Sequence, residues 1–491
     1  MILHVEQYCT IIMITKMKLF VWGLFVLSMS LTSCDEMLDT KSKTMLSQEK
    51  VQTESGVQAL IIGAYDLLQS ASLYGRDALN IPEVLADNSI TTPLASRYKT
   101  VIDNKVGSHL DIWVDCYEII ALLNEAISYA QDLPESTKQK ALLGEALALR
   151  GFIYFNLARV YGREPEHLVN GFDLCVPLNL EAFYYNGGQM GDEVYPVRST
   201  VNQVWAQIES DLSKGAELLK GNDDGLMPKR MNHLAAMALL SRVYLYESKW
   251  SDCVSASNAV TDSCPFGVYS GDYTDIFSKG EENLFYVYFT ESEGLGSSSL
   301  QSTNGITSSG TDSNGYAIHS GGTGDADLAM SNELVALFDK SKDKRFKSVR
   351  KAIVSSTEVY WTGKFMGYQG AFGLDNVPVI RMSEVVLNRA EAEAELNQTS
   401  AALADVNEIR TKRGLEPIEL TGGELLKEVL LQRRLELCQE GHRFFDLKRR
   451  GLDISKPEGR TLVPFEDFRV VARISDTQMD ANPSLVQNPG Y

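Results

Sequence analysis

Four ionisable side chains crowd into a short segment near the C-terminus: Glu440, His442, Arg443 and Asp446. A carboxylate next to an imidazole can transfer protons, so this spacing first suggests acid/base catalysis. Charges packed this closely at the end of a helix, however, usually bond to one another and to nearby backbone groups. We therefore interpret the cluster as structural.

The sequence offers no other recognisable constellation of reactive residues. The histidines after residue 34 are His109, His167, His233, His319 and His442. They lack the spacing of metal ligands, and the chain has neither a nucleophile elbow nor a phosphate-binding loop. Carboxylates are numerous, but nothing selects the pair that a glycosidase would need. Asp325 and Asp327 follow a run of glycines and leave a calcium site open as an alternative. We otherwise expect no metal and no cofactor.

Residues 1–33 are predicted to be a signal peptide whose start is Met17. A positively charged beginning is followed by an apolar run that is too short to span a membrane. The run ends in the sequence LTSC at 31–34, which is typical of a bacterial lipobox, and the thiol of Cys34 would accept the lipid. The alternative is an ordinary signal peptide with a chance cysteine. Residues 34–50 are expected to form a polar tether that carries the lipid anchor.

Composition limits the partners and the cross-links of the chain. The sequence has 46 basic and 65 acidic residues, a formal net charge of −19. Such a chain is repelled by a phosphate backbone unless its basic residues cluster, and the only dense basic cluster is short. Nucleic acid is therefore not an expected partner. Cys253 and Cys264 could form a disulfide, a possibility that the spacing leaves open.

Hydrophobic periodicity predicts a mainly α-helical domain over residues 51–491. The segments with helical period are Glu145–Tyr161, Thr200–Leu219, Asn232–Glu247, Glu384–Leu396, Ala401–Arg413 and Leu425–Gln439. Leu240 to Tyr244 resembles the core of a tetratricopeptide repeat, with Trp250 and Cys253 where the second helix of such a repeat places an aromatic and a small residue. Several hairpins of this kind would build a repeat scaffold.

Three segments resemble conserved stretches of the SusD/RagB family, the lipoprotein partners of outer-membrane SusC-type transporters in Bacteroidetes. Residues 144–162 read GEALALRGFIYFNLARVYG, and residues 380–392 read IRMSEVVLNRAEA. Residues 433–449 read RRLELCQEGHRFFDLKR, with Phe444 where the family more often has tryptophan. The last motif is long and specific, and the three occur in the family's order across nearly the whole mature chain.

The resemblance implies a right-handed superhelix of about four tetratricopeptide-like helix pairs that supports a large irregular region. It also implies a non-catalytic lipoprotein of the outer membrane that captures a glycan for a SusC-like TonB-dependent transporter. Two alternatives stay open at this point: a peptide- or glycoprotein-binding protein like those of the RagB branch, and a surface hydrolase.

Recognition is expected on inserts near 84–110, 163–198, 291–327 and 355–377, which lack helical period. Aromatic rings that stack on sugars, flanked by groups that bond hydroxyls, are the side chains such a site needs. The candidates are Asp87, Asn88, Arg97, Tyr98, Tyr316, His319, Tyr360, Trp361 and Tyr368. Glycines near Trp361 suggest that it lies in an exposed turn. The alternative is that each ring packs beneath its own loop.

Replacing Cys34 tests the predicted anchor. The Cys34→Ala variant should lose labelling by a fatty-acid analogue and should leave the membrane fraction, because it lacks the thiol that accepts the lipid. Cys264→Ala is the matched control and should be labelled like the wild type. Unchanged labelling of Cys34→Ala would contradict the assignment.

Overall fold

The computed structural model of the protein describes residues 51–187, 194–305, 310–311, 317–318, 326–354 and 357–491. Within these residues the chain forms fifteen α-helices and eight short β-strands. The helices are α1 (Glu54–Leu68), α2 (Asp77–Leu85), α3 (Trp113–Asp132), α4 (Thr137–Tyr161), α5 (Val201–Leu219), α6 (His233–Tyr246), α7 (Trp250–Ser263), α8 (Asp275–Ser278), α9 (Leu300–Asn304), α10 (Asn332–Ala336), α11 (Met382–Glu395), α12 (Thr399–Lys412), α13 (Gly422–Leu437), α14 (Arg443–Arg449) and α15 (Asp476–Ala481). The strands are β1 (Ser89–Thr91), β2 (Asn283–Val287), β3 (Gly310–Thr311), β4 (Ala317–Ile318), β5 (Leu328–Met330), β6 (Arg350–Val354), β7 (Thr357–Trp361) and β8 (Val377–Arg381).

Capping side chains fix where several helices begin. Thr200 and Gln203 form a reciprocal capping box at the start of α5. The side chain of Asn232 caps α6 by accepting a hydrogen bond from the Ala235 amide. Helix α4 begins eight residues before the predicted start, after Ser136, whose side chain accepts a hydrogen bond from the Gln139 amide. Its polar first turn lacks the apolar period on which the prediction depended.

Helices that follow one another in sequence pack side by side. Helix α3 contacts α1 and α4, α5 contacts α4 and α6, and α7 contacts α6 and α11. Helix α11 in turn packs against α12 and α13. The arrangement confirms a mainly helical fold with tetratricopeptide-like helix pairs.

Small residues allow the paired helices to approach closely. At the α4–α5 contact, a Cβ atom added to Gly215 would lie 2.7 Å from the Cβ of Ala148. In the predicted repeat hairpin, Leu245 and Cys253 are buried against Ala392 of α11, and Trp250 packs on them. Cys253 and Cys264 are both free thiols, so the possible disulfide between them is not formed.

Helix α4 is long and apolar enough to cross a membrane, judged only by its length and composition. However, 94% of its apolar window is buried inside the protein. Its neighbours α3 and α5 cover it, so the apolar composition of α4 serves the core.

Two β-sheets accompany the helices. Six strands form one sheet in the order β1-β5-β7-β6-β4-β3, in which β4 and β6 run parallel and the other neighbours run antiparallel. Strands β2 and β8 form a separate antiparallel pair. Residues 52–491 make up one compact unit.

A buried ion network holds the end of α13 against the rest of the protein. The carboxylate of Glu436 forms ion pairs with the guanidinium groups of Arg345, Arg381 and Arg413 at 3.3, 2.8 and 2.8 Å. Burial alone would raise the pKa of Glu436, but Arg413 and Arg381 outweigh burial and hold it well below its usual value. Glu436 is therefore ionised in the folded protein.

A second buried carboxylate gives a test of such pairs. Glu391 on α11 bonds to Arg449 at 2.6 Å and to Arg450 at 2.7 Å. Burial favours its neutral form, yet the two guanidinium groups lower the pKa of Glu391 to about 2. Because the folded-state pKa is depressed, the stabilisation is present above the unfolded-state pKa of roughly 4.3 and is lost as pH falls towards 2.

The Glu391→Gln variant should lower the free energy of unfolding at pH 7 by about 3–5 kcal/mol, because it removes the fully buried carboxylate that neutralises the fully buried Arg449 guanidinium. In the variant, the free energy of unfolding should also fall less between pH 4.5 and pH 2 than it does in the wild type, as measured by urea denaturation at several pH values. Glu424→Gln, which breaks an exposed pair with Lys427, is the control and should change neither. Equal effects of the two substitutions would contradict this interpretation.

Candidate ligand-binding site

Three of the four sequence inserts meet in the six-stranded sheet. Strand β1 comes from the insert at 84–110, β5 follows the insert at 291–327, and β7 lies in the insert at 355–377. Ser89 pairs with Met330, and Met330 pairs with Tyr360, so the three inserts are directly linked through backbone bonds. Loops carried by adjacent strands present their side chains over one surface, as binding sites require.

The fourth insert, 163–198, lies against the C-terminal residues instead. Arg163 donates to the carbonyl oxygens of Phe465 and Asp467, and Arg198 donates to the side-chain oxygen of Asn488. Described residues of this insert therefore pack on the C-terminal segment, and none of them belongs to the six-stranded sheet.

Asp87 and Asn88 attach the first insert to the C-terminal motif. The carboxylate of Asp87 pairs with Arg443 at 2.6 Å and with Arg434 at 3.2 Å. Burial would raise the pKa of Asp87, but the hydrogen bond and charge of Arg443 lower it below its ordinary value. Asn88 donates to Glu83 and accepts from Arg434. In the sequence these polar groups share an insert with Tyr98 and were predicted to bind ligand. In the fold they anchor that insert.

Arg97 and Tyr98 are tied to neighbouring inserts and helices. The Arg97 guanidinium bonds to Asp327 at 2.9 Å, and the amides of Ser96 and Arg97 donate to the other oxygen of that carboxylate. Tyr98 has a φ of 63°, is 8% exposed, and donates its hydroxyl proton to Asp77 at 2.6 Å. Burial raises the pKa of Tyr98, so its hydroxyl stays protonated. The buried position of Tyr98 leaves little of its ring accessible to a ligand.

The possible calcium site can be assessed only for Asp327, because Asp325 lies outside the described residues. Both oxygens of Asp327 already accept hydrogen bonds from the 96–97 segment. Within the described ranges, no group of three histidine, cysteine or acidic residues is arranged to hold a metal ion.

Sequence reasoning missed a buried polar group between the first and third inserts. Asn80 on α2 donates to the Thr303 hydroxyl at 2.9 Å and accepts from the Asn304 amide at 2.6 Å. The Asn304 oxygen has no partner among the residues that the structure describes. The only sequence signal was a pair of amide side chains, which is too common to single out without the fold.

Two aromatic candidates of the insert at 355–377 lie on opposite faces of β7. Trp361 is 2% exposed and lies on the inner face, so the prediction of an exposed turn for Trp361 was wrong. Tyr360, the preceding residue, is half-buried on the opposite face, and its hydroxyl bonds to Glu358. Tyr368 is half-buried in the following turn and donates to the Gly363 carbonyl at 2.6 Å. The other aromatic candidates, Tyr316 and His319, lie outside the described residues.

The charged cluster near the C-terminus is largely buried, and its carboxylates are paired with basic residues of the protein. Glu440 pairs with Lys364 at 2.7 Å and with Arg381 at 2.8 Å. His442 is 7% exposed, and burial together with the charge of Arg242 lowers its pKa well below the ordinary value. A neutral, enclosed imidazole and a paired carboxylate support the structural interpretation of this motif.

Comparisons with known proteins agree with this architecture. A family model described as starch-binding and associating with the outer membrane matches residues 36–245, and the SusD family model matches residues 349–491. The SusD-like protein P2 of Formosa agariphila is 24% identical, with 97% of this chain and 100% of that protein covered.

Solved structures show the same fold. A SusD superfamily protein of Bacteroides thetaiotaomicron superposes with a TM-score of 0.76 at 26% identity, covering 89% of this chain and 100% of that one. A SusD-like carbohydrate-binding protein of Bacteroides vulgatus gives a TM-score of 0.72 at 19% identity, covering 88% and 97%. At the lower identity the likeness concerns the fold alone.

Burial separates a structural role from a binding role for the β7 aromatics. Trp361→Ala should lower the free energy of unfolding by about 3–5 kcal/mol in urea denaturation, because it empties a buried site. Tyr360→Ala, on the more exposed face of the same strand, should cost clearly less. A Trp361→Ala variant as stable as the wild type would show that its ring does not support the sheet.

Proposed function

Because the chain belongs to the SusD/RagB family, we propose that it captures a glycan at the cell surface and delivers it to a SusC-like TonB-dependent transporter in the outer membrane. In this proposal the protein is a nutrient-binding component and catalyses no reaction. Cys34 carries the lipid that holds it at the membrane, and the tether at 34–50 separates the lipid from the helical body.

The convergence of three inserts in one sheet carries the proposal. The helices of the scaffold bury their apolar faces against one another, which leaves the inserts as the surface available for recognition. The sheet gives that surface a rigid base, since β1, β5 and β7 are hydrogen-bonded neighbours. A preorganised surface loses less conformational entropy when it binds a flexible oligosaccharide.

Among the predicted site residues, Tyr360 and Tyr368 are the described aromatics with the most accessible rings. We assign them to contact with sugar rings, and Arg97, whose side chain is 29% exposed, to hydrogen bonding of hydroxyls. Asp87, Asn88 and Tyr98 act from behind this surface by holding the first insert in place. Tyr316 and His319 stay predictions for the same surface.

Removing the two accessible rings tests the assignment. A Tyr360→Ala/Tyr368→Ala variant should bind an oligosaccharide ligand at least about thirtyfold more weakly, since each lost ring contact is worth on the order of 1–3 kcal/mol. Isothermal titration calorimetry would measure the loss after a glycan array has identified a ligand. Tyr184→Ala removes a tyrosine that is 49% exposed on the insert at 163–198 and serves as the control.

The outcomes discriminate between classes of ligand. Binding of peptides but of no glycan on the array would replace this proposal by a peptide-capture function. Release of shortened glycan during incubation would indicate a hydrolase. Full glycan affinity in the double variant would move the site away from β7 and its turn.

A further inference from the structure

A cavity opens beside the short sheet of β2 and β8, and none of the residues that line it is among the predicted site residues. Its volume is about 220 Å³, which is enough for one sugar ring. Its lining includes two tyrosines, Tyr286 and Tyr288, and two amide side chains, Gln369 and Asn376. Two residues apart on an extended segment, the tyrosines point to the same face, and their ring centroids are 6.5 Å apart.

The charge of this cavity is opposite to that of the whole chain. Lys229 and Lys279 line it, and no acidic residue does, although the chain has a net charge of −19. The Lys279 ammonium is paired with Asp275 at 3.1 Å. The Lys229 ammonium lies 4.0 Å from the centre of the Tyr288 ring and has no carboxylate partner among the described residues. A cation held on an aromatic face without a counter-ion is positioned to receive an anion.

One hydrogen-bonding group of a residue that lines the cavity is also without an internal partner among the residues described. Asn283 is 3% exposed, and its amide nitrogen donates to the Ile276 carbonyl at 2.8 Å, which fixes the orientation of the amide. The other end of that amide, the Asn283 oxygen, has no donor among the residues described. A buried acceptor without a donor is costly, so a group that brings a hydroxyl to this wall is favoured.

We propose that this cavity is a subsite for an acidic sugar, a single residue that carries a carboxylate or a sulfate. The acid group pairs with Lys229, and the hydroxyls bond to the amides of Asn283, Gln369 and Asn376. The inference rests on the proposed glycan-binding function and deepens it, because it names the chemical class of the glycan.

Gln369 ties this subsite to the proposed binding surface. It follows Tyr368 directly, in the turn after β7. The same turn is fixed by Asp375, whose carboxylate accepts the amides of Gly367 and Tyr368 at 2.9 Å each. One rigid turn therefore presents an aromatic ring to one site and an amide to the other, so a single oligosaccharide can occupy both.

The experiment compares acidic and neutral ligands of the same size. The probes are galacturonic acid disaccharide, a sulfated heparin disaccharide and neutral galactobiose, titrated into the full mature protein by calorimetry at low and high salt. At least one acidic probe should bind about tenfold more tightly than galactobiose at low salt, and the difference should shrink as salt screens the Lys229 charge.

Lys229→Gln should lower the affinity for the acidic probe about tenfold and leave the affinity for galactobiose unchanged. Gln369→Ala should lower the affinity for both probes. The control Lys427→Gln removes an exposed lysine of α13 and should alter neither. The inference of an acidic subsite is overturned if the acidic probes bind no more tightly than galactobiose, or if they bind Lys229→Gln as tightly as the wild type. Either result leaves the glycan-binding function untouched. Failure of the wild type to bind any saccharide on a broad array overturns the glycan-binding function as well.

Discussion

Glu436 has no exposed side-chain surface and faces three guanidinium groups, those of Arg345, Arg381 and Arg413. Removing one partner of such a buried pair strands a charge in a medium that solvates it poorly. The three arginines belong to the segment before β6, the end of β8 and the end of α12. One carboxylate thus joins the sheet region to the helical scaffold, and the geometry of both depends on it.

The same principle extends to neighbouring charges. Glu440, one turn after Glu436, bonds to Lys364 in the turn that follows β7. Arg443 bonds to Asp87 in the first insert. The motif at 433–449 therefore acts as a central connector: it touches two inserts, and its buried side chains are engaged with other parts of the protein. A segment rich in ionisable residues can thus hold the inserts in place without contacting a ligand.

The helical scaffold was largely predictable, because caps such as Thr200 and apolar periodicity are local properties of the sequence. The surroundings of Trp361 were not, since its face is set by pairing with Arg350 across β6 and β7. The cavity beside β2 was missed for the same reason: Lys229, Tyr288 and Gln369 are far apart in sequence and meet only through tertiary packing. Local pattern identified the inserts in which we place the site, but strand register decides which of their side chains are exposed.

The position of the connector in the chain has a consequence for synthesis. Arg345, Arg381 and Arg413 leave the ribosome before Glu436 does, so their guanidinium groups lack this shared anion until synthesis has passed residue 436. Contacts between distant parts of a chain form slowly, and here the carboxylate that joins the three arginines is made after all of them. A nascent chain without this ion network is easier to keep unfolded, which suits the export across a membrane that the proposed function requires.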